Sequence, residues 1–369
     1  MSSKPQIDIN DLLLVKATPE QAIIANQTSY IEWGHPELTL EQYLEREKIL
    51  ENLEFTRDNF QVWILISKKE QQQESTPTIL SACETFKRKA LIKDITTITT
   101  DKLEKLREVD DEEGGGNVKE IICYAIASVF TPPNFRNKGY ASSMLKLLSD
   151  ILVKELKAEF SFLFSNIGPH FYQRLGWNVD DHKEIRFNVD NNNTHISDSA
   201  DNVNNVDNMN NNIIVEETKK ITNQNDLEHI IQQDCQFIYQ EFSQLDFPAF
   251  LVLPTKPTFE WHFERSKIYA KFRNIKITTF EQKLTILRFR SNDQKITKLL
   301  IEHAKREALR YNLKQVVFWN PDMKLFPNDD GELVERKDSL PSLACHYKEP
   351  SFSYFSHFKW LLLEKYTWC

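Results

Sequence analysis

The sequence has few cysteines, no long apolar run and no apolar leader. Its five cysteines are widely separated and contain no C-x-x-C pair, which argues against structural zinc and against a disulfide framework. The most apolar stretch, residues 360–363, is far too short to span a bilayer. The N-terminal residues show neither the apolar core of an export signal nor an arginine-rich amphipathic pattern. We therefore expect a cytoplasmic protein with reduced thiols, no bound metal and no membrane contact.

The sequence also contains fewer basic residues than acidic residues. The 369 residues include 46 lysines and arginines against 54 aspartates and glutamates, a formal net charge of -8. Nucleic-acid-binding proteins usually carry an excess of basic residues, so we expect no nucleic-acid partner. A hydrophobic content of 40% is ordinary for a globular protein, and the length allows about two or three domains.

Glycine is scarce, with 8 in the whole chain, and one of them lies in a distinctive setting. The stretch NFRNKGYASSML, at 134–145, follows a strand pattern that ends in two prolines, and it begins a helix pattern. Gly139 lets the backbone approach a ligand closely, Arg136 adds positive charge, and first-turn N–H groups of a helix bind phosphate. The spacing R-x-x-G-x-A differs from the glycine patterns of dinucleotide-binding folds and P-loops. The predicted pyrophosphate-binding loop comprises Arg136, Asn137, Lys138, Gly139, Tyr140, Ala141 and Ser142.

Apolar periodicity predicts mixed helices and strands in the first half. The predicted elements are a mainly helical region at 7–58, strands at 60–66, 78–92 and 121–131, a helix at 139–157, a strand at 160–166, a short helix at 168–177 and a strand at 184–189. The acidic, glycine-containing segment 110–116 is interpreted as an exposed loop, and the asparagine-rich segment 190–212 as a disordered insertion.

A strand, a helix and a strand recur in the second half, with the spacing of a βαβ unit. These elements follow a helix at 259–272 and are predicted at 284–290, 295–311 and 315–319. The strand–helix junction, RFRSNDQK, has no glycine, so we expect it to bind no phosphate. The predicted domains are residues 1–189, the insertion 190–212 and a C-terminal α/β domain at 213–369.

The order of the first-half elements, with R-x-x-G-x-A and then FYQRLGW at 171–177, resembles the GCN5-related N-acetyltransferase superfamily over about residues 7–189. The resemblance implies the α+β fold of that superfamily, acetyl-CoA as co-substrate, and direct attack of an amine on the thioester without a metal. We interpret the C-terminal region as a degenerate acetyltransferase-like unit that shapes the substrate pocket and binds no CoA.

Four segments resemble the fungal lysine N6-acetyltransferase family more narrowly. They are SACETFKRKAL, YAIASVFTPPNFRNKGYASSML, FLFSNIGPHFYQRLGW and the ending WLLLEKYTWC. The implied reaction is acetylation of the side-chain amine of free L-lysine, a step of lysine catabolism. Two alternatives stay open: acetylation of another amine or of a protein lysine, and an acetyl-CoA-binding module without turnover.

The superfamily resemblance also implies roles for individual residues. Tyr172 would protonate the departing thiolate, and Asn166 would contact the pantetheine arm of the cofactor. The alternatives are a core position for Tyr172 and a helix cap for Asn166. One backbone N–H of the strand before the phosphate loop would stabilise the thioester carbonyl, and the residues of this strand are Ser128, Val129, Phe130 and Thr131.

The general base is left open by the sequence. An alkyl ammonium group has a pKa of about 10.4, so a base or a water chain must remove its proton before it attacks. Glu120, before the long strand, and Glu84, on the preceding strand, are the carboxylate candidates, each with a structural or solvent-facing alternative. His170, next to the FYQRLGW motif, is expected to be a surface residue.

Overall fold

The computed structural model of the protein describes residues 8–71, 77–93, 118–189, 223–272, 282–326, 331–346 and 358–369. The predicted loop at 110–116 and the predicted insertion at 190–212 lie outside the described residues, so both stay predictions.

Helices and strands alternate along most of the described chain. The helices are α1 (Pro19–Trp33), α2 (Leu40–Glu51), α3 (Glu54–Arg57), α4 (Lys68–Gln71), α5 (Tyr140–Lys154), α6 (His170–Gln173), α7 (Gln224–Ser243), α8 (Lys256–Phe272) and α9 (Gln294–Arg310). The strands are β1 (Leu12–Lys16), β2 (Phe60–Ser67), β3 (Ser81–Lys93), β4 (Val118–Phe130), β5 (Phe160–Ser165), β6 (Asn178–Val179), β7 (Lys183–Asn188), β8 (Ala249–Val252), β9 (Lys283–Thr285), β10 (Gln315–Trp319), β11 (Gly331–Glu335), β12 (Leu340–Cys345) and β13 (Lys359–Trp360).

A nine-stranded sheet forms the centre of the described structure. Its main order is β1-β2-β3-β4-β5-β12-β6, while β8 pairs with β3 and with β13. The pairs β4–β5 and β8–β13 are parallel, and the remaining pairs of this sheet are antiparallel.

Side chains along β4 alternate between two hydrophobic cores, as the strand period of two requires. Tyr124 and Ile126 face the core that α5 covers. Cys123 and Ala125 face the core that includes residues of α3, α8 and the C-terminal segment. The sheet is therefore covered on both faces, and α5 is held by an apolar stripe made of Tyr140, Met144, Leu145, Leu148 and Leu152.

A second, four-stranded sheet has the order β11-β7-β10-β9. Strands β9 and β10 are parallel and connected through α9, as predicted for a βαβ unit. Ile301 and Ala308 of α9 pack against Phe187 of β7 and Phe318 of β10.

The two sheets exchange strands across the predicted domain boundaries. Strand β7 precedes residue 190 but belongs to the smaller sheet, and β8, β12 and β13 follow residue 212 but belong to the larger one. Each sheet therefore contains strands from both predicted halves of the chain. Cutting the chain after Val189 would remove β12 from between β5 and β6, so the halves are better tested by point substitutions than by truncation.

Two predicted elements differ in the structure. The N-terminal region, predicted to be mainly helical, begins with strand β1, whose apolar residues pair with β2 at the sheet edge. The strand predicted at 284–290 is shorter, because Arg288 and Arg290 beyond β9 turn towards the carboxylates of Asp234, Glu364 and Glu241 instead of pairing in a sheet.

Neither a membrane-spanning helix nor a metal-ligand cluster is found among the described residues. No helix there combines the length and the apolar character needed to cross a bilayer. No group of three or more His, Cys, Asp or Glu side chains in the same ranges is arranged to hold a metal ion.

Candidate active site

A β-bulge in β4 opens the central sheet. The register pairs Ala82 with Phe130 but Glu84 with Ala127, so β4 carries an extra residue in this interval. Ser128 lies in the bulge with φ of 50°. Pairing between β4 and β5 extends only to Ile126, and the last residues of β4 therefore have no strand partner on that side.

A cleft of about 1010 Å³ occupies the space where β4 and β5 separate. Its walls come from residues 126–131, the N-terminus of α5, the end of β5, helix α2, helix α8 and the last residues of the chain. Two distant parts of the sequence thus share one cavity, a common location for small-molecule sites.

The N-terminus of α5 faces this cleft without a capping side chain. Its N-cap is Gly139, with φ of 80°. A Cβ at this position would meet no atom within 4 Å, so the backbone angle, and not crowding, is what favours glycine. Thr18, Thr39 and Asp293 cap the first-turn N–H groups of α1, α2 and α9. At α5 a ligand is the natural acceptor for these groups, as an anion site requires.

Most of the predicted phosphate loop lines the cleft. The lining residues are Arg136, Asn137, Gly139, Tyr140, Ala141 and Ser142. Lys138 does not line it; its ammonium lies 5.8 Å from the centre of the Phe135 ring. Arg136 donates from Nε to the carbonyl of Thr131 at 3.0 Å, and its guanidinium lies 3.2 Å from Glu32 at the surface. The loop therefore contributes one guanidinium to the cleft wall, and this group is paired with Glu32.

Tyr172 and Asn166 both line the cleft. Burial raises the pKa of the Tyr172 hydroxyl above its usual value, so this group keeps its proton over the physiological range. The side-chain oxygen of Asn166 accepts the backbone N–H of Ser339 at 2.9 Å. The alternative that Asn166 caps the following helix is not realised, because the N-cap of α6 is Pro169.

The two carboxylate candidates for the base lie at opposite ends of the β3–β4 pair. Glu120 is paired with Leu91, outside the cleft, where it accepts a hydrogen bond from Tyr239 at 2.7 Å and lies 3.1 Å from Lys89. The hydrogen bond from Tyr239 and the nearby lysine lower the pKa of Glu120. Exposed His170 is not a cleft residue either. The structure therefore separates Glu120 from the other predicted site residues.

Glu84 lies in the cleft, opposite the bulge. Ser128 Oγ donates to Glu84 Oε2 at 2.6 Å. Burial, with the neighbouring Glu47 carboxylate as the next cause, raises the pKa of Glu84 to about 8, although the Ser128 hydrogen bond and Arg46 act in the opposite direction. A carboxyl group that titrates near neutral pH beside a cavity has the properties of a general base.

Several cleft residues were not predicted from the sequence. Helix α2 contributes Arg46, Glu47 and Glu51, and the second half contributes Trp261, Arg265, Trp368 and Cys369. Glu47 and Glu51 are one helical turn apart, which places them on one face. That spacing was the available sequence signal, but nothing local indicates that this face meets β3.

Two family models match separate parts of the chain. Residues 116–179 match an acetyltransferase (GNAT) domain, and residues 271–369 match the LYC1 GNAT-like C-terminal domain. A curated lysine acetyltransferase from Yarrowia lipolytica is 24% identical over 291 residues, which are 70% of this chain and 66% of that protein. The match thus spans just under two thirds of the relative's length.

Solved structures of acetyltransferases also match. The GCN5-related N-acetyltransferase from Kribbella flavida has a TM-score of 0.47 at 12% identity, covering 91% of this chain and 72% of that one. A GNAT family acetyltransferase from Brucella melitensis, solved in complex with acetyl-CoA, has a TM-score of 0.27 at 12% identity, covering 45% and 82%.

The predicted α+β fold and the predicted acetyltransferase-like C-terminal region are confirmed, the first by the sheet order and the second by the C-terminal family model. The two family models and the curated relative together show an acyltransferase that contains an acetyltransferase (GNAT) domain at 116–179 and a GNAT-like C-terminal domain at 271–369, with a relation to the fungal lysine acetyltransferases.

Proposed function

We propose that the protein transfers the acetyl group of acetyl-CoA to the side-chain amine of free L-lysine, as a cytoplasmic enzyme of lysine catabolism. The observation that carries the proposal is that one cleft holds an uncapped helix N-terminus and, opposite the bulge of β4, the raised-pKa carboxyl group of Glu84. The first feature suits a phosphate group and the second suits an amine.

The cofactor end of the cleft fits acetyl-CoA. The first-turn N–H groups of α5 would bind the pyrophosphate, with Arg136 adding charge-assisted hydrogen bonds. Residues 127–130 of β4 and Asn166 would contact the pantetheine arm where the strands separate. Bound acetyl-CoA supplies a thioester carbonyl that an amine can attack, with the CoA thiolate as the leaving group.

Glu84 would accept the proton of the substrate ammonium. The carboxylate is the active form, and a cation bound beside it favours that form. A backbone N–H of the bulged strand, at Val129 or Phe130, would stabilise the negative charge that develops on the carbonyl oxygen. Tyr172, which stays protonated, would donate to the departing thiolate.

The other charges of the cleft wall favour an amino acid as acceptor. Besides the phosphate loop, the lining includes the carboxylates Glu47, Glu51 and Glu84 and the arginines Arg46 and Arg265. A free amino acid carries both ammonium and carboxylate groups, and it therefore needs charges of both signs in its pocket. The name of the curated relative from Yarrowia lipolytica supports lysine.

The proposed activity is tested by measuring CoA release from acetyl-CoA with a panel of amines. We expect turnover with L-lysine to exceed that with L-ornithine and with a histone peptide, and mass spectrometry to locate the acetyl group on the side-chain nitrogen. Preference for the peptide would favour a protein substrate. CoA binding without release of CoA for every amine would indicate a binding module.

Ser128→Ala should move the pH dependence of turnover to higher pH. The hydroxyl donates to the Glu84 carboxylate and lowers its pKa, so its loss disfavours the active form. At pH 7 we expect kcat/KM to fall roughly three- to tenfold, since one pKa unit changes the ionised fraction about tenfold, and the loss should vanish at high pH.

Ser81→Ala is the matched control, because Ser81 Oγ donates to the Phe130 carbonyl on the same strand pair without contacting Glu84. This variant should leave unchanged the pH range over which turnover rises. A Ser128→Ala variant whose activity falls equally at all pH values would show that Ser128 has only a structural role.

A further inference from the structure

Helix α8 brings aromatic and basic side chains of the second half to the cleft. The Trp261 ring lies 6.0 Å from Phe55 and 6.3 Å from Phe86, ring centre to ring centre. Phe86 is two residues beyond Glu84 on β3, and alternate residues of a strand lie on the same face. These contacts fix α8 against the strand that carries the proposed base.

Arg265 is one helical turn beyond Trp261 and therefore lies on the same side of α8. Its guanidinium carbon is 4.6 Å from the centre of the Trp368 ring, and the residue lines the cleft. Arginine over an aromatic face keeps its N–H donors directed outward in the plane of the guanidinium, where they match the two oxygens of a carboxylate.

Trp368 and Cys369 connect this arginine with Glu84. Trp368 contacts Arg265, and both Trp368 and Cys369 line the cleft. Burial raises the pKa of the Cys369 thiol to about 12, nearby Arg88 acts in the opposite direction, and the charge of Glu84 adds to the increase. The dipeptide therefore lies near both Arg265 and Glu84. Apolar surface that lies near both a cation and an acid suits the methylene chain of a lysine.

Three arginines line the described cleft, and their surroundings differ. Arg136 belongs to the phosphate loop. Arg46 is buried, forms an ion pair with Glu47 and stacks over Tyr43. If Arg46 bound a substrate carboxylate instead, the Glu47 carboxylate would lose its counter-charge. Losing the partner of a buried charge costs considerable free energy. Arg265 is half-buried, lines the part of the cleft that the second half of the chain contributes, and stacks over Trp368.

We propose that Arg265 binds the α-carboxylate of the amino-acid acceptor and thereby selects free lysine over amines that lack this group. The inference rests on the proposed function. It assigns a substrate contact to the second half of the chain, which gives that half a role in specificity.

The test compares L-lysine with 1,5-diaminopentane, which is lysine without its carboxylate, at saturating acetyl-CoA. For Arg265→Gln we expect kcat/KM for lysine to fall about 10- to 100-fold, because a charge-assisted bidentate contact is lost. The value for 1,5-diaminopentane should stay within about twofold or rise. Wild-type preference for lysine over the diamine should therefore collapse in the variant.

Arg265→Lys keeps the charge but not the planar fork, and it should show an intermediate loss for lysine alone. The matched control is Lys267→Gln, two residues along α8, whose ammonium is exposed and paired with Glu264. It should leave both substrates unaffected. Acetyl-CoA affinity, measured by calorimetry, should be the same in all four proteins.

Equal losses for lysine and the diamine in both Arg265 variants would refute the carboxylate contact while leaving the proposed function intact. Absence of lysine turnover by the wild-type protein would refute the proposed function, and the inference with it. A lysine-specific loss in both variants, with unchanged acetyl-CoA affinity, would establish the contact.

Discussion

Glu84→Gln is expected to lower turnover of L-lysine by about 10²- to 10⁴-fold, the range typical for loss of a general base. The substitution keeps the size of the side chain and removes its ability to accept a proton. Acetyl-CoA affinity should change little, because the predicted phosphate-binding groups are on α5 and in the loop before it. Single-turnover kinetics and calorimetry on the folded variant measure the two quantities separately.

The pH profile gives the more specific signature of this role. The pKa of Glu84 is raised to about 8, so kcat/KM of the wild-type protein should rise with pH through this value as the carboxylate forms. In Glu84→Gln this limb should be absent. The ionisation of the substrate amine, with a pKa of about 10.4, should still affect the pH profiles of both the wild type and the variant.

The stability of the fold should also depend on the ionisation of Glu84. As the pH rises, stability should fall while activity increases. A carboxyl group whose folded pKa lies above its usual value of 4.5 stabilises the fold less as pH rises from about 4.5 to about 8. The melting temperature of Glu84→Gln, compared with that of the wild type, should therefore be relatively higher at pH 9 than at pH 5.

Glu120→Gln is the control for this prediction. It removes a carboxylate from the other end of the same strand pair, where the partners are Lys89 and Tyr239. Its turnover should stay within about twofold of the wild type. A Glu84→Gln protein that keeps full activity and an unchanged pH limb would overturn the assignment of the base.

Tyr172→Phe is expected to lower kcat about 10²-fold with little change in acetyl-CoA affinity. The variant keeps the ring, which packs in the core beneath α5, and loses only the hydroxyl. Because burial raises the pKa of this hydroxyl, it is a neutral donor at the moment the thiolate leaves. A loss confined to kcat indicates an interaction made in the transition state.

Tyr124→Phe is the matched control, since Tyr124 is buried in the same hydrophobic core and is not among the cleft residues. Its effect on kcat should be small. If Tyr172→Phe retained activity within about twofold, solvent or another group would have to protonate the thiolate.

Local sequence was sufficient for the parts of the site that depend on neighbouring residues. The helix at 140–154 follows from an apolar stripe with a period near 3.6 residues, and the proposal that its start binds phosphate follows from Gly139 and the two preceding prolines. The second βαβ unit was predicted for the same reason. Helix periodicity, capping and positive φ angles are decided by residues only a few positions apart.

Tertiary structure alone decided which carboxylate lies in the cleft. Glu84 and Glu120 are both acidic residues on neighbouring long strands, and nothing in the local pattern separates them. The register of β3 against β4 places one beside the bulge and the other among Lys89 and Tyr239. Burial and charge then raise one pKa and lower the other, and both effects come from residues distant in the sequence.

The exchange of strands between the two sheets and the approach of Arg265 to the cleft have the same physical origin. Strand β7 pairs with β10, more than a hundred residues later, and α8 packs against a strand from the first half. Hydrophobic burial has no direction along the chain, so any apolar face can be covered by any other. By itself, the sequence of this protein determined most of its helices and strands and the proposed phosphate loop, whereas long-range packing decided which carboxylate lies in the cleft and which residues of the second half line it.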